Sequence, residues 1–116
     1  MIDHGVHAVM VAGTTGEGMM LSPDERKAVL ATVVAQVNRR VPVIAHTGCI
    51  DTGTTVALSQ HAQDAGADVI SAIVPYFFTF GEEQIYRHFL TVAEAVRETP
   101  VLLYAFPGNA KNDISP

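Results

Sequence analysis

The chain has 116 residues, of which 48% are apolar, so we expect one packed globular unit rather than a disordered segment. A formal net charge of -5 provides no basic stripe to neutralise phosphates, which argues against nucleic acid as a partner. The apolar runs are far shorter than the roughly 20 residues of a membrane helix, and the single cysteine, Cys49, cannot form an internal disulfide, so a reducing cytoplasm is expected.

Four short apolar runs are predicted to be strands. They cover Ala8–Ala12, Val41–Ala45, Val69–Val74 and Val101–Tyr104. They recur at intervals of roughly 30 residues, the length of one βα unit. Strands of a parallel sheet are covered on both faces, which explains why these runs are continuously apolar instead of alternating. The pattern therefore predicts an α/β fold with parallel strands.

The segments between these runs carry helix signals. The first helix is predicted to begin at Pro23, with Ser22 as its N-cap and Glu25 completing a capping box. The other two helices are predicted from their boundary residues, Asp51 and Gly66 for the second, Glu82 and Pro100 for the third.

The two ends of the chain resemble internal positions. Gly5 is followed by a strand in the same way as Gly66, and Ser115-Pro116 repeats the Ser22-Pro23 that opens a helix. We therefore expect residues 1–116 to be a single partial segment of a longer series of βα units, from an α/β barrel or an open parallel sheet. Such a segment exposes two unpaired sheet edges, one of them at or beside the first strand.

A glycine-rich turn, Gly13–Gly18, directly follows the first strand. Backbone amides freed by its glycines, together with the hydroxyls of Thr14 and Thr15, can hold a carboxylate. The carboxyl end of a parallel strand is also where α/β folds place their active sites. The turn lacks the Gly-Lys-Ser/Thr ending of a nucleotide P-loop and the spacing of a dinucleotide site, so nucleotide binding is a weak alternative.

Tyr104 closes the fourth strand, at the same predicted end of the sheet. A phenol in this place can act as a general acid or base if its proton is relayed. A tyrosine at a strand end is more often a core residue with a satisfied hydroxyl, but the predicted proximity to Thr14 and Thr15 favours catalysis.

In order and spacing, nearly the whole chain resembles the dihydrodipicolinate synthase and N-acetylneuraminate lyase family. The segments that carry the resemblance are Gly13–Gly18, Leu21-Ser22, Glu25-Arg26, Pro42–Cys49, Ala65–Asp68, Pro75–Phe78 and Leu103–Pro107. Within them, the run Ile44–Cys49 and Ile70–Ala72 look more like the lyase than the synthase.

The resemblance implies a partial (β/α)8 barrel, about strands two to five of eight. It also implies an enzyme that binds pyruvate or another 2-keto acid as a Schiff base on a lysine, reacts it with an aldehyde, needs no dissociable cofactor and forms a homo-oligomer. Thr14, Thr15 and Gly13 would hold the keto-acid carboxylate, and Thr14 would relay a proton to Tyr104. The imine lysine would follow Tyr104 by about 28 residues, past Pro116.

Neither lysine of the chain, Lys27 or Lys111, is predicted to form the imine, because an imine-forming lysine needs a buried site that lowers its pKa. The five histidines show no metal-ligand spacing, so no metal site is predicted. His46 ends a strand and can line the mouth of the site.

Two residues depart from the family pattern. Phe77 occupies a position where many members carry a tyrosine that completes a proton relay across a dimer interface, so Tyr76 or a water would have to replace it. Asn109 lies where the synthases commonly carry an arginine for the second substrate's carboxylate. Asparagine cannot form that bidentate charged contact, which favours a different aldehyde.

The leading hypothesis is therefore a Schiff-base lyase or aldolase represented by a partial chain. A non-catalytic keto-acid-binding or assembly module, which uses the open sheet edges, is the alternative from another class. A phosphate-binding α/β domain that uses the same turn is a third possibility.

Overall fold

The computed structural model describes residues 1–114, so the helix start expected at Ser115-Pro116 lies outside the described part. Its sheet has four strands, β1 (Val9–Val11), β2 (Val43–His46), β3 (Val69–Ile73) and β4 (Val101–Tyr104). The strands are ordered β1-β2-β3-β4 and every neighbouring pair is parallel. All four carboxyl ends therefore lie at one edge of the sheet.

Four α-helices follow the strands in alternation. They are α1 (Pro23–Val37), α2 (Thr52–Asp64), α3 (Glu82–Ala95) and the short α4 (Pro107–Ala110). Two single-turn 3-10 helices, Ile2–His4 and Gly18–Met20, were not predicted from the sequence. Sequential strand order with one helix after each strand is the arrangement of a (β/α) barrel, and it lacks the reversal of strand order that marks a doubly wound sheet.

The predicted helix boundaries are confirmed by their capping contacts. The Ser22 hydroxyl accepts from the Glu25 N–H at 3.3 Å, and the Glu25 carboxylate accepts from the Ser22 N–H at 2.8 Å. Asp51 caps α2 by accepting from the Thr54 N–H at 2.7 Å. Gly66, just past α2, has a φ of 87°, a left-handed conformation that suits glycine.

The predicted strands agree with the structure to within two residues, and the second strand differs most. It was expected over Val41–Ala45 but runs from Val43 to His46. Pro42 has no N–H to donate, and the Val43 N–H donates instead to the Asp68 carboxylate at 2.8 Å. At its other end the strand extends to His46, which pairs with Ser71 of β3 at the carboxyl end of the sheet.

Two clusters of buried side chains form the core. The first joins α1 and α2 to the sheet, with Leu30, Val37, Val43, Ala62 and Ile70 among its members. The second lies under α3 and α4, and Tyr104 and Phe106 pack against it. β1 and β4 are the two outer strands, and Leu102 and Leu103 on β4 are about half exposed.

Candidate functional site

The turn after β1 has a tightly constrained backbone. Ala12 and Glu17 have positive φ angles of 55° and 51°, which non-glycine residues adopt at an energetic cost. The turn is closed by hydrogen bonds from the Glu17 N–H to the Thr14 carbonyl, at 3.0 Å, and from the Gly18 N–H to the Gly13 carbonyl, at 3.2 Å. A Cβ on Gly18 would lie 1.9 Å from the Ala12 carbonyl oxygen, so a larger residue at this position requires the turn to move.

The turn leaves hydrogen-bond donors unused. Within residues 1–114, the backbone N–H groups of Thr14, Thr15 and Gly16 donate to no protein acceptor. Gly13 is buried, whereas Thr14 and Thr15 are exposed. Amides and hydroxyls that converge in this way are able to hold an anion such as a carboxylate.

Thr14 and Tyr104 meet although 90 residues separate them in sequence. Their hydroxyl oxygens are 3.3 Å apart, within hydrogen-bond distance. Tyr104 is the last residue of β4, and Thr14 is three residues past β1. The two outer strands of the sheet therefore deliver one hydroxyl each to the same point, an arrangement through which a proton can pass.

The Tyr104 ring lies between two other rings. The His46 imidazole, at the end of β2, is perpendicular to it, with centroids 5.9 Å apart and an interplanar angle of 85°. The Phe106 ring lies nearly parallel to it, at 6.1 Å and 14°. These contacts limit how far the phenol can turn.

A cavity of about 110 Å³ at this end of the sheet is lined by Thr14 and by two more of the predicted residues. Thr14, Tyr76 and Asn109 line it, together with Met19, Ile73, Phe106 and Ala110. Burial is the main cause, and the neighbouring Cys49 the second cause, of a raised pKa at Tyr76. Its hydroxyl therefore stays protonated and can donate a hydrogen bond. The structure thus brings together Thr14, Tyr104, His46, Tyr76 and Asn109, while the Thr15 side chain contacts none of them by a hydrogen bond in the described part of the chain.

His46 is almost fully buried, with 4% of its surface exposed. Burial in the first place, and the Arg26 guanidinium in the second, lower its pKa to about 4, and the backbone of Ala12 opposes that shift. The imidazole is therefore neutral at physiological pH and carries no charge to the site.

Arg26 is a site residue that the sequence reasoning missed. It is 5% exposed and donates to the carbonyls of His46, at 2.7 Å, and Gly48, at 3.1 Å. It also contacts His46 Nδ1 at 3.3 Å and Cys49 Sγ at 3.0 Å. The available signal was its spacing, because Arg26 precedes the buried residues Leu30 and Val37 by whole helical turns on the same face of α1.

Asn112 is a second missed residue. Its side-chain amide donates to the carbonyls of Pro75 and Phe78, both at 2.7 Å, and its oxygen accepts from the Phe80 N–H at 2.9 Å. It therefore ties the loop after β3 to the segment after β4. Its contacts are all to backbone atoms, which leave no trace in the sequence.

The loop held by Asn112 presents two exposed aromatic rings. Phe77 is 64% and Phe78 is 58% exposed, and their rings contact each other at 5.0 Å. Phe77 adopts a φ of 77°, which is costly for a bulky residue, and the Lys111 ammonium lies 5.7 Å from the centre of its ring. Lys27 lies on α1 near the Asp24 carboxylate, at 3.8 Å.

Residues 1–114 contain neither a candidate metal site nor a candidate membrane-spanning helix. No group of three or more His, Cys, Asp or Glu side chains is arranged to hold a metal ion. No helix in this range has the length and apolar character needed to cross a membrane.

Comparison with known proteins identifies the family. The sequence model described as the Dihydrodipicolinate synthetase family matches residues 1–116. The 4-hydroxy-tetrahydrodipicolinate synthase of Acetivibrio thermocellus is 41% identical over 99% of this chain, which corresponds to 39% of that relative. The chain therefore spans about two fifths of the length of this curated relative.

Solved structures agree with this result. YagE of E. coli K12, a prophage protein of the dihydrodipicolinic acid synthase family solved in complex with pyruvate, is 42% identical with a TM-score of 0.93, over 97% of this chain and 37% of YagE. CdNal from Clostridium difficile, solved in complex with mannosamine, is 31% identical with a TM-score of 0.91, over 95% of this chain and 38% of CdNal. The fold is thus four βα units of the larger barrel of these proteins, and the chain belongs to the dihydrodipicolinate synthetase family.

Proposed function

We propose that this chain is the carboxylate-binding and proton-transferring part of a 2-keto-acid Schiff-base lyase. In the full-length parent, a lysine beyond Pro116 would form the imine with pyruvate or a related keto acid. The parent would then make or break a carbon–carbon bond with an aldehyde as the second reactant. The observation that carries the proposal is the 3.3 Å contact between the Thr14 and Tyr104 hydroxyls at the carboxyl end of the sheet.

The turn supplies the binding part of the mechanism. The free amides of Thr14 and Thr15 and the neighbouring hydroxyls would hold the keto-acid carboxylate in one pose. Fixing the carboxylate also fixes the carbonyl carbon that the lysine attacks. The pyruvate complex of YagE, a relative with 42% identity, supports a keto acid as the ligand class.

Tyr104 supplies the proton-transfer part. The phenol would donate to the oxygen that leaves as the imine forms, and would receive a proton back through the Thr14 hydroxyl. The imine nitrogen, once protonated, serves as the electron sink, so this chemistry needs no dissociable cofactor.

The far end of the relay differs from that of many family members, because Phe77 has no proton to pass on. Tyr76 lines the same cavity as Thr14 and holds its proton, so it is the protein group that we propose in this role. The exposed pair Phe77 and Phe78 supports a homo-oligomeric parent, in which a second subunit covers these rings.

The aldehyde is the least constrained part of the proposal. Asn109 lines the cavity with an amide in place of a charged clamp, which favours an aldehyde without a carboxylate at that point. The relatives described above include both a named synthase at 41% identity and CdNal at 31%. We therefore propose the keto acid with more specificity than the aldehyde.

Borohydride trapping tests the proposal. The full-length parent, incubated with pyruvate and sodium borohydride, should gain the mass of one reduced pyruvate imine per subunit, on a lysine outside residues 1–116. The 116-residue chain under the same conditions should gain none. An adduct on Lys27 or Lys111 would contradict the assignment, as would the absence of any adduct on the parent.

Borohydride trapping combined with binding measurements separates the two rival functions. A keto-acid-binding or assembly module would bind pyruvate in calorimetry without an adduct or turnover. A phosphate-binding domain would bind inorganic phosphate in calorimetry and would not bind pyruvate.

The free thiol of Cys49 suits a reducing compartment, and we propose the cytoplasm as the location of the parent.

A further inference from the structure

The buried position of Arg26 is unfavourable for the stability of the fold. Its guanidinium is almost fully buried, and no carboxylate within residues 1–114 forms a salt bridge with it. Its Nε has no hydrogen-bond partner among the described atoms. A buried charge without a carboxylate partner lowers the stability of the fold. Residues kept in spite of such a cost are found mainly at functional sites.

The contacts that Arg26 does make converge on the end of β2. One terminal nitrogen lies 2.7 Å from the His46 carbonyl oxygen and 3.3 Å from His46 Nδ1. The other lies 3.1 Å from the Gly48 carbonyl oxygen. Arg26 thus grips both the backbone and the side chain of His46 and fixes the path of the strand as it ends.

This grip also selects the tautomer of His46. A guanidinium can only donate, so the Nδ1 that it contacts must be the unprotonated, accepting nitrogen. The proton of the neutral ring then resides on Nε2, which has no hydrogen-bond partner in the described part of the chain. Arg26 holds the ring at Nδ1, and the Ala12 backbone is another polar group that acts on it, so the orientation of the ring depends in part on the Arg26 contact.

The ring held in this way is the one that lies perpendicular to the Tyr104 ring, at 5.9 Å. Tyr104 is the last residue of β4, and side-chain packing helps to fix the direction of its phenol. His46 and Phe106 are the two rings in contact with it.

We propose that Arg26 and His46 form a positioning pair, in which Arg26 orients the His46 ring and the His46 ring holds the Tyr104 phenol at the Thr14 hydroxyl. Neither residue touches substrate, and both act through Tyr104. The inference rests on the lyase function proposed above and adds to it two residues on α1 and β2.

Two variants of the full-length parent separate the parts of the pair. His46→Asn retains an acceptor near the Nδ1 position for Arg26 but removes the ring, and Arg26→Met retains the ring but removes the grip. Because misplacing a catalytic group by about 1 Å can cost about 10²-fold, each variant should lower kcat by about 10–10²-fold while KM for pyruvate stays nearly constant. The double variant should lose little more than the more damaged single variant, since both act on one ring.

His88 offers a matched control. It is also 4% exposed and also has its Nδ1 bonded to a neighbour, the Thr52 hydroxyl at 2.9 Å, but it lies on α3 and contacts none of the site residues named above. His88→Asn should therefore leave kcat unchanged even where it lowers Tm. Arg26→Lys, which retains the charge and one donor group, serves as a milder second variant and should recover part of the kcat lost in Arg26→Met.

Borohydride trapping with pyruvate in each variant distinguishes failure of this inference from failure of the proposed function. Adduct formation after long incubation should reach the wild-type level in all variants, because the imine lysine and the carboxylate turn are intact. An unchanged kcat in both His46→Asn and Arg26→Met would overturn the positioning role, as would a loss of kcat in His88→Asn equal to that in His46→Asn. A wild-type parent that forms no adduct would instead overturn the lyase function itself.

Discussion

The two ends of the sheet differ in how completely their polar groups find partners. At the carboxyl end, two non-glycine residues of the first turn have positive φ angles; within residues 1–114, amide donors of that turn are left unused and the buried Arg26 has no acid partner. At the amino end, left-handed positions are occupied by Gly5 and Gly66 but also by Asn38 and Arg39, and the Val43 N–H is satisfied by the Asp68 carboxylate. Positive φ angles at non-glycine residues therefore occur at both ends, and the carboxyl end is distinguished by its unused donors and its buried arginine.

The candidate site is not in the larger of two cavities at opposite ends of the sheet. It is marked instead by side chains from distant strands that meet at one point. A hollow of about 490 Å³ at the amino end, lined by Val34, Arg39, Pro42 and Asp68 among others, is much larger than the 110 Å³ cavity beside Thr14. The smaller cavity is the one at which hydroxyls from two distant strands meet. Unsatisfied donors beside converging hydroxyls are what a binding function predicts.

The largest expected difference between the ends concerns Tyr104. Tyr104→Phe in the full-length parent removes the proposed acid and base, and should lower kcat by about 10²–10⁴-fold. The measurement is steady-state turnover with pyruvate and the aldehyde. Tyr86→Phe, at a tyrosine on α3 that is 61% exposed, is the matched control and should leave kcat unchanged. Equal effects of the two substitutions would remove the distinction between the site and the rest of the surface.

The depressed pKa of His46 gives the next largest effect. Its pKa is about 4 in the folded chain, against 6.5 as the usual value, so between these pH values the unfolded chain binds one proton more. The free energy of unfolding should therefore fall as pH drops from 6.5 towards 4, by about 3 kcal/mol in total from this group.

Urea unfolding of the parent and of His46→Gln at a series of pH values isolates this contribution. The difference between the two proteins should shrink or reverse in favour of the variant as pH falls. His88, whose burial also lowers its pKa, is present in both proteins and cancels. Parallel curves for the two proteins would show that His46 titrates normally.

Glycine substitutions compare the two ends directly. Gly18→Ala places a Cβ against the Ala12 carbonyl and should cost about 1–3 kcal/mol, and it should raise KM for pyruvate because the turn must move. Gly66→Ala meets open space and should cost about 1 kcal/mol for its positive φ, with KM unchanged. Thermal unfolding measures the change in stability, and initial rates measure KM. A rise in KM in Gly66→Ala would contradict the predicted difference between the two ends.

The smallest effect is expected at the ion pair of the amino end. Arg40 and Asp3 approach to 3.9 Å, but their side chains are 51% and 88% exposed, so solvent screens the attraction. Asp3→Ala should change neither Tm nor kcat measurably. A clear loss of activity would mean that the amino end contributes to the site after all.

Local signals made the fold predictable from the sequence. Ser22 and Glu25 form the expected capping box, and the four apolar runs became the four strands with only small shifts. The meeting of Thr14 and Tyr104 was also predictable, because the carboxyl ends of parallel strands share one edge of the sheet.

The supports of the site were not predictable in the same way. The spacing of Arg26 on α1 indicates a buried face but not its partners, and its acceptors include backbone carbonyls that any residue would supply. Asn112 is recognised only by the carbonyls that it bridges. The identity of a side chain predicts its chemistry, but its partners depend on the tertiary path of the backbone.

A double-mutant cycle on Thr14 and Tyr104 tests the central claim most directly. The claim is that the two hydroxyls, 3.3 Å apart, act on the bound keto acid as one unit. Turnover would be measured for Thr14→Val, Tyr104→Phe and the double variant of the full-length parent. The account predicts that the double variant is about as slow as the slower single variant. Losses that simply multiply would show that the two residues act independently and would contradict it.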